Sequence, residues 1–305
     1  MTAAILFPGQ GAQFEGMGRD WSEADEAARE TFAEADRILG FSLSKACWEG
    51  GDEVNRTDLA QPGIFTTSVA AVRALEGRGL DRARAAATCG LSLGEYSALW
   101  CAGSLDFADG LRLVRLRGEA MQAASEATPS GMVSLLGADE SSAQALATVG
   151  AGRGVCSVAN LNAPGQIILS GELDALDAVE AVASDHGVRR TRRLVVAGGF
   201  HSECMRPAAE RLEAALREIE LRPPTVPFYS NVTAEATDDP ARIAAQLADQ
   251  VCSPVLWQRS IQALLDAGVS EFLEPAPGRV LAGLMKKIAP SARVDSAATP
   301  APRGA

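Results

Sequence analysis

Histidine is almost missing from this chain: there are two in 305 residues, His186 and His201. Acid–base chemistry near neutral pH is thereby narrowed to two imidazoles. Basic residues are also short, 28 Lys+Arg against 39 Asp+Glu, for a net charge of −11. That balance argues against a nucleic-acid binder or a binder of anionic membranes, and it confines any acidic partner to a local basic patch. The six cysteines, at 47, 89, 101, 156, 204 and 252, form no Cys-x-x-Cys pair. Neither a disulfide framework nor a zinc or other metal site is expected, and a reduced cytoplasm is the expected setting. No apolar run approaches the ~20 residues that span a bilayer. Residues 1–7 lack the basic start and long apolar stretch of a signal peptide.

What is present is an ordinary globular composition, 47% apolar and 22% charged, long enough for one sizeable core or a large domain carrying an insert. One stretch stands out, Gly90-Leu91-Ser92-Leu93-Gly94. It lies between an apolar run at 85–89 and a helical pattern at 95–102. A strand, a sharp turn and a helix with serine at the apex is the setting of a nucleophile elbow. The glycines are there because so tight a turn presses its flanking residues together. The helix start directs free N–H groups at the serine.

The other elements follow in order. Residues 3–7 read as a buried strand, and Gly9-Gln10-Gly11 is a loop that lacks the spacing of a nucleotide or phosphate loop. Helices are expected at 22–39, 41–48, 61–77 (opened by Gln61-Pro62) and 107–124. Arg112, Arg115 and Arg117 on the last of these read locally as a solvated face. Residues 130–197 then give strand, helix, strand, strand, helix, strand, the order of a ferredoxin-like unit. Beyond it come a Gly198-Gly199-Phe200-His201 loop, helices at 205–219, 239–251, 254–267 and 277–288, and strands at 226–230 and 269–273. The expected fold class is α/β. A large subdomain (1–129 and 198–290) carries a mainly parallel sheet, 130–197 is an inserted small subdomain, and 291–305 is a disordered tail.

A serine hydroxyl needs a base. His186 sits near the end of an amphipathic helix, whereas His201 sits in a loop where the large subdomain resumes, so His201 is the candidate. The interval between Ser92 and His201 offers no well-placed acid, which points to a Ser-His dyad oriented by a backbone carbonyl. The Leu93 N–H would hold the oxyanion, with Gln10 supplying a second donor from the end of a neighbouring strand.

With these residues in view, the chain resembles the malonyl-CoA:acyl-carrier-protein transacylases, the free-standing enzymes of fatty-acid synthesis and the related acyltransferases of polyketide synthases. The resemblance runs from about residue 5 to residue 288. It is carried by Phe7-Pro8-Gly9-Gln10-Gly11, Gly90-x-Ser92-Leu93-Gly94-Glu95, Leu113-Val114-x-x-Arg117-Gly118, Asn162-x-Pro164-Gly165-Gln166, Phe200-His201-Ser202 and Pro275-x-Pro277-Gly278. It implies a hydrolase-like large subdomain and a ferredoxin-like small one. It further implies Ser92 as acylated nucleophile, His201 as base, Gln10 and Leu93 as oxyanion hole, and a backbone carbonyl of Gln250 orienting the histidine. Arg117 would grip the malonyl carboxylate, as a guanidinium fork suits a carboxylate. Asn162 and Gln166 would bind substrate, and Phe200 would favour malonyl over methylmalonyl. No cofactor is implied. Malonyl-CoA is the substrate, and the acceptor is the phosphopantetheine thiol of an acyl carrier protein. One departure stands out: the family usually has histidine before the nucleophile, and here it is Leu91. Some acyltransferases acting in trans on polyketide synthases share the Gly-Leu-Ser-Leu-Gly-Glu sequence, which tilts the reading towards them.

Carrier proteins are acidic, so Arg189, Arg190, Arg192 and Arg193, with Lys286 and Lys287, are the docking candidates. Two other readings remain. One is an acyl hydrolase that clears acyl groups from carrier proteins; the other is a non-catalytic docking subunit. Arg117 speaks against the first, because a monocarboxylic acyl chain has no use for a buried cation. The intact Ser92, His201 and Gln10 speak against the second.

Overall fold

The computed structural model describes residues 3–300. The start of the stretch read for a signal peptide, and residues 301–305 of the expected tail, lie outside the described residues. The strands, in chain order, are β1 (Ala4–Phe7), β2 (Thr88–Gly90), β3 (Ser130–Leu136), β4 (Cys156–Ala163), β5 (Gln166–Glu172), β6 (Arg190–Arg193), β7 (Phe228–Tyr229), β8 (Ala236–Thr237), β9 (Glu271–Pro275) and β10 (Arg293–Ala297).

They form two sheets. The larger has the order β10-β9-β1-β2-β7-β8 and is parallel apart from its last pair. Its central strand β1 is apolar throughout and wholly buried, as expected of a parallel strand covered on both faces. Ile5 lies opposite Thr88 and Phe7 opposite Gly90, so β1 and β2 end level with each other. Both the elbow and the Gly9-Gln10-Gly11 loop therefore leave the carboxyl edge of the sheet, where ligands bind in open parallel sheets. The smaller sheet is antiparallel, with the order β4-β5-β3-β6. That is the strand order of a ferredoxin-like unit, and helices Glu140–Ala151 and Leu173–Val182 pack on one face of it.

Three expectations are corrected. The helix anticipated at 22–39 is two, Arg19–Ala24 and Glu26–Leu39. Asp25 turns extended between them (φ −144°), and its side chain accepts from the Ala27 N–H. This is the N-cap preference of a short acid overriding helical periodicity. The helix placed at 61–77 starts earlier and runs Thr57–Glu76 with Pro62 inside it. Proline has no N–H for the carbonyl four residues back. That carbonyl, on Asp58, accepts from Arg115 Nη1 at 2.6 Å. Arg115 is thus a structural residue with a 24% exposed side chain, also paired with Glu119. Finally, the tail does not begin at 291: β10 pairs in parallel with β9 from Arg293↔Glu271 to Ala297↔Pro275. Its Ala- and Pro-rich surroundings hid a strand that gains its ladder from an exposed sheet edge.

Candidate active site

The elbow is built by contact. A Cβ on Gly90 would stand 1.9 Å from the Gly94 carbonyl carbon, and one on Gly94 would stand 2.2 Å from the Phe7 carbonyl oxygen. Neither position admits any other residue. Between them Ser92 adopts φ 53°, in the left-handed region, which L-residues occupy only when their surroundings impose it. The Leu91 N–H donates to Phe7 O at 3.0 Å, tying the turn to β1. The Ser92 N–H donates to Asn231 Oδ1 at 2.6 Å, and Asn231 Nδ2 donates to Gly90 O at 2.7 Å. The helix Gly94–Cys101 then begins, buried throughout. Among the described residues the Leu93 N–H at its start takes no partner, which leaves a donor free beside Ser92.

His201 reaches the elbow from the loop before helix Arg206–Leu216, itself at φ 60°. Its Nε2 lies 2.8 Å from Ser92 Oγ, and its Nδ1 lies 2.8 Å from the backbone carbonyl of Gln250. A carbonyl only accepts, so Nδ1 carries the proton and Nε2 offers its lone pair to the serine hydroxyl. Burial, together with the charge of Arg117, lowers the His201 pKa to about 4. The imidazole is therefore neutral, and able to accept a proton, across the physiological range. His186 ends the short helix Ala183–His186 on the small sheet's side and takes no part.

Arg117 is 2% exposed. Its Nη1 donates to Gln61 Oε1 at 2.8 Å, and its Nη2 donates to Gln250 Oε1 at 3.0 Å and to Ser92 Oγ at 3.1 Å. Its Nε has no partner. Among the described residues no carboxylate forms an ion pair with it, and burial pulls its pKa down. A buried cation surrounded by neutral oxygens is costly unless a ligand supplies the anion. Helical periodicity could not separate Arg117 from Arg112 and Arg115; depth in the fold does.

These groups open onto a cavity of about 420 Å³, lined also by Gln10, Leu91, Asn160, Asn162 and Phe200. Gln10 uses one amide N–H on Thr57 Oγ1, at 3.3 Å. Asn162 presents a buried Oδ1 with no partner. Leu91 is 9% exposed and packs against the cluster that includes Cys89 and Ala163, so it gives the cavity an apolar wall where an imidazole would give a polar one. Gln166 is a correction. It shares a face of β5 with Ile168 but stands at the strand's far end, where Lys287 Nζ donates to its Oε1 at 2.8 Å, and it does not line the cavity. The basic candidates also divide. Arg189 and Arg190 are exposed, Arg192 lines the cavity mouth, and Arg193 is paired with Asp177 and Glu180. Lys286 is exposed and Lys287 is engaged by Gln166. Reading the sequence missed Gln61, Asn231 and the side chain of Gln250. None sits in a motif, and no periodicity marks a polar residue that caps another residue's backbone. Among the described residues no group of three or more His, Cys, Asp and Glu side chains gathers to hold a metal.

The family model described as acyl transferase domain matches residues 5–302. The malonyl CoA-acyl carrier protein transacylase of Bacillus subtilis is 42% identical over 287 residues, 93% of this chain and 90% of that one. The crystal structure of acyl-carrier-protein-S-malonyltransferase from Bartonella henselae superposes with a TM-score of 0.94 at 38% identity, covering 98% of this chain and 96% of that one. A malonyl-transacylase solved in complex with its type II polyketide acyl-carrier protein also reaches 0.94, at 34% identity, covering 98% and 97%.

Proposed function

The chain belongs to the acyl transferase domain family, and on that premise we propose that it moves a malonyl group from malonyl-CoA to the phosphopantetheine thiol of an acyl carrier protein. The observation that carries the reading is Arg117. Among the described residues its buried guanidinium has no ion-pair partner, and it stands 3.1 Å from Ser92 Oγ, within reach of the free carboxylate of a malonyl group bonded to that oxygen. A hydrolase of uncharged acyl chains leaves that cation unused.

The transfer runs in two halves. His201 Nε2 takes the Ser92 proton as Oγ bonds to the thioester carbon. The tetrahedral oxyanion is held by the Leu93 N–H and Gln10. The carbon–sulfur bond then breaks, and the imidazolium returns its proton to the departing CoA thiolate. In the second half His201 takes the proton of the carrier's thiol, sulfur attacks the malonyl ester, and Ser92 Oγ leaves with the proton. Gln250 O fixes the histidine tautomer throughout. Phe200, 5% exposed in the cavity wall, takes up space that an α-methyl group needs. Asn162 faces the arm of the thioester. No resident cofactor enters these steps.

The acidic carrier docks on exposed cations, Arg192 at the cavity together with Arg189, Arg190 and Lys286. The same reading divides the chain into a large subdomain (1–129 and 198–290, with β10 added) and a small one (130–197), the cleft lying between them. No helix of the described residues is long and apolar enough to cross a membrane, and a cytoplasmic setting belongs to the proposal.

Incubation with malonyl-CoA, methylmalonyl-CoA and acetyl-CoA, followed by intact-protein mass measurement, tests it. A malonyl adduct absent from Ser92→Ala, and transferred to holo carrier protein, is the expected result. Turnover to free malonate with no transfer would establish a hydrolase instead.

A further inference from the structure

Glu95 follows Gly94 in the first turn of the helix after the elbow and is 1% exposed. Neither half of the proposed transfer uses it. Burial pushes its pKa up to about 8, opposed by the Asn231 N–H, the Gln250 amide and the charge of Arg117. A buried acid with no part in the reaction calls for a physical account.

Its two oxygens are divided between two residues. Oε1 accepts from the backbone N–H of Asn231, and Oε2 accepts from Gln250 Nε2. Those residues come from separate segments, one after β7 and the other at the end of helix Pro240–Gln250. Each then reaches Ser92. Asn231 Oδ1 accepts from the Ser92 N–H at 2.6 Å. Gln250 Nε2 spends its second hydrogen on the Ser92 carbonyl, at 3.0 Å. Both backbone polar groups of the strained serine are therefore held by side chains that the same carboxylate anchors. Gln250 also orients His201 through its backbone carbonyl and accepts from Arg117 through Oε1. Its amide thus lies between the guanidinium and the Glu95 carboxylate.

We infer that Glu95 is the positioning residue of this site, fixing Asn231 and Gln250 so that they hold Ser92 at φ 53° with its hydroxyl aimed at His201. Two donors pointing at two oxygens suit a carboxylate or, less well, an acid; they do not suit an amide, whose NH₂ would face one donor head-on. The inference rests on Ser92 being the nucleophile.

The decisive variant is E95Q, which keeps shape and volume and loses one of the two anchors. Malonylation of Ser92 should slow by roughly ten- to a hundred-fold in kcat, the scale of a small misplacement of reacting groups. The KM for malonyl-CoA should stay within about two-fold, because nothing that touches the thioester has changed. A second variant, N231S, keeps the backbone N–H that Glu95 anchors but removes the acceptor of the Ser92 N–H. It should show the same split, and the double variant should be no slower than the slower single. An E95Q enzyme with wild-type kcat, a loss confined to KM, or multiplying defects in the double variant would each overturn the inference. Should E95Q fail to fold, N231S decides alone: an unchanged kcat there rejects the inference and the kcat-only loss upholds it. The wild-type adduct is measured first. If it is absent from Ser92, the nucleophile assignment itself fails; if it forms, and forms as fast in E95Q, only the role of Glu95 falls.

Discussion

At the floor of the cavity Arg117 is 2% exposed and bonds only neutral oxygens. On the rim strand β6, Arg193 has a 33% exposed side chain and meets two carboxylates, Asp177 and Glu180. The rim has water to solvate its cations as well as acids to pair with them, so a charge there is cheap and nearly neutral in effect. The floor holds one acid, Glu95, and the Gln250 amide stands between it and the guanidinium, so Arg117 meets no carboxylate directly and, on the proposed reading, is left to a substrate anion. The same residue type is surface cement in one region and, in the proposed function, a specificity device in the other, and depth separates the two.

The sharpest break at the floor is Ser92→Ala, which should abolish the acyl adduct and lower transfer by roughly 10⁴-fold or more, read by mass and by carrier-protein loading. Next in size, Arg117→Ala should lower kcat/KM for malonyl-CoA by roughly a hundred-fold, as expected when a buried charge pair loses one member. Acetyl-CoA should lose far less; if the malonyl preference survives, the carboxylate is anchored elsewhere.

The floor charge also predicts a pH profile. The His201 pKa is lowered to about 4, first by burial and then by Arg117. The base is lost only below that pH, so the acid limb of kcat/KM should fall near pH 4, well under the ordinary ~6.5 of histidine. Replacing Arg117 by Met should move the limb upward. Because the folded pKa is the depressed one, the stability His201 contributes is present above ~6.5 and is lost as pH falls through about 4. Urea midpoints across that window measure it.

Away from the cavity, Arg115→Met should destabilise the fold by about 1–3 kcal/mol, since the Asp58 carbonyl freed by Pro62 loses its donor; chemical denaturation reads this directly. The smallest effects belong to the rim. Charge reversal at Arg190 with Arg192 should raise the carrier-protein KM several-fold, in a salt-dependent way. Reversal of Arg193, whose charge is already spent on Asp177 and Glu180, should leave that KM alone. Equal effects from the two would erase the distinction between free and paired rim cations.

The elbow was legible because its residues are forced locally: Gly90 and Gly94 have no room for a side chain, and Ser92 sits at a turn flanked by recognisable strand and helix. His201 was legible by scarcity, one of two candidates. The alternation of elements gave the parallel sheet, and the β-α-β-β-α-β order gave the antiparallel one. Less was visible where the deciding partner is distant in the chain. Pro62 suggested a helix start, yet Arg115, 53 residues on in the numbering of the chain, lets the helix run through it. Strand β10 exists because β9 offers an unpaired edge, not because residues 293–297 demand one. Gln166 kept its place in a motif while its side chain turned to Lys287.

By itself, then, the sequence determined the tight serine turn, which of the two histidines stands beside Ser92, the two sheet types and the family. Those rest on short-range sterics, on counting and on periodicity, all of which are written into neighbouring residues. Only the tertiary structure decided which of Arg112, Arg115 and Arg117 is the buried cation, which rim arginines remain free, and how Asn231, Gln250 and Glu95 converge on Ser92. Those outcomes depend on burial and on hydrogen bonds between segments more than a hundred residues apart, and such partnerships leave no periodic trace along the chain.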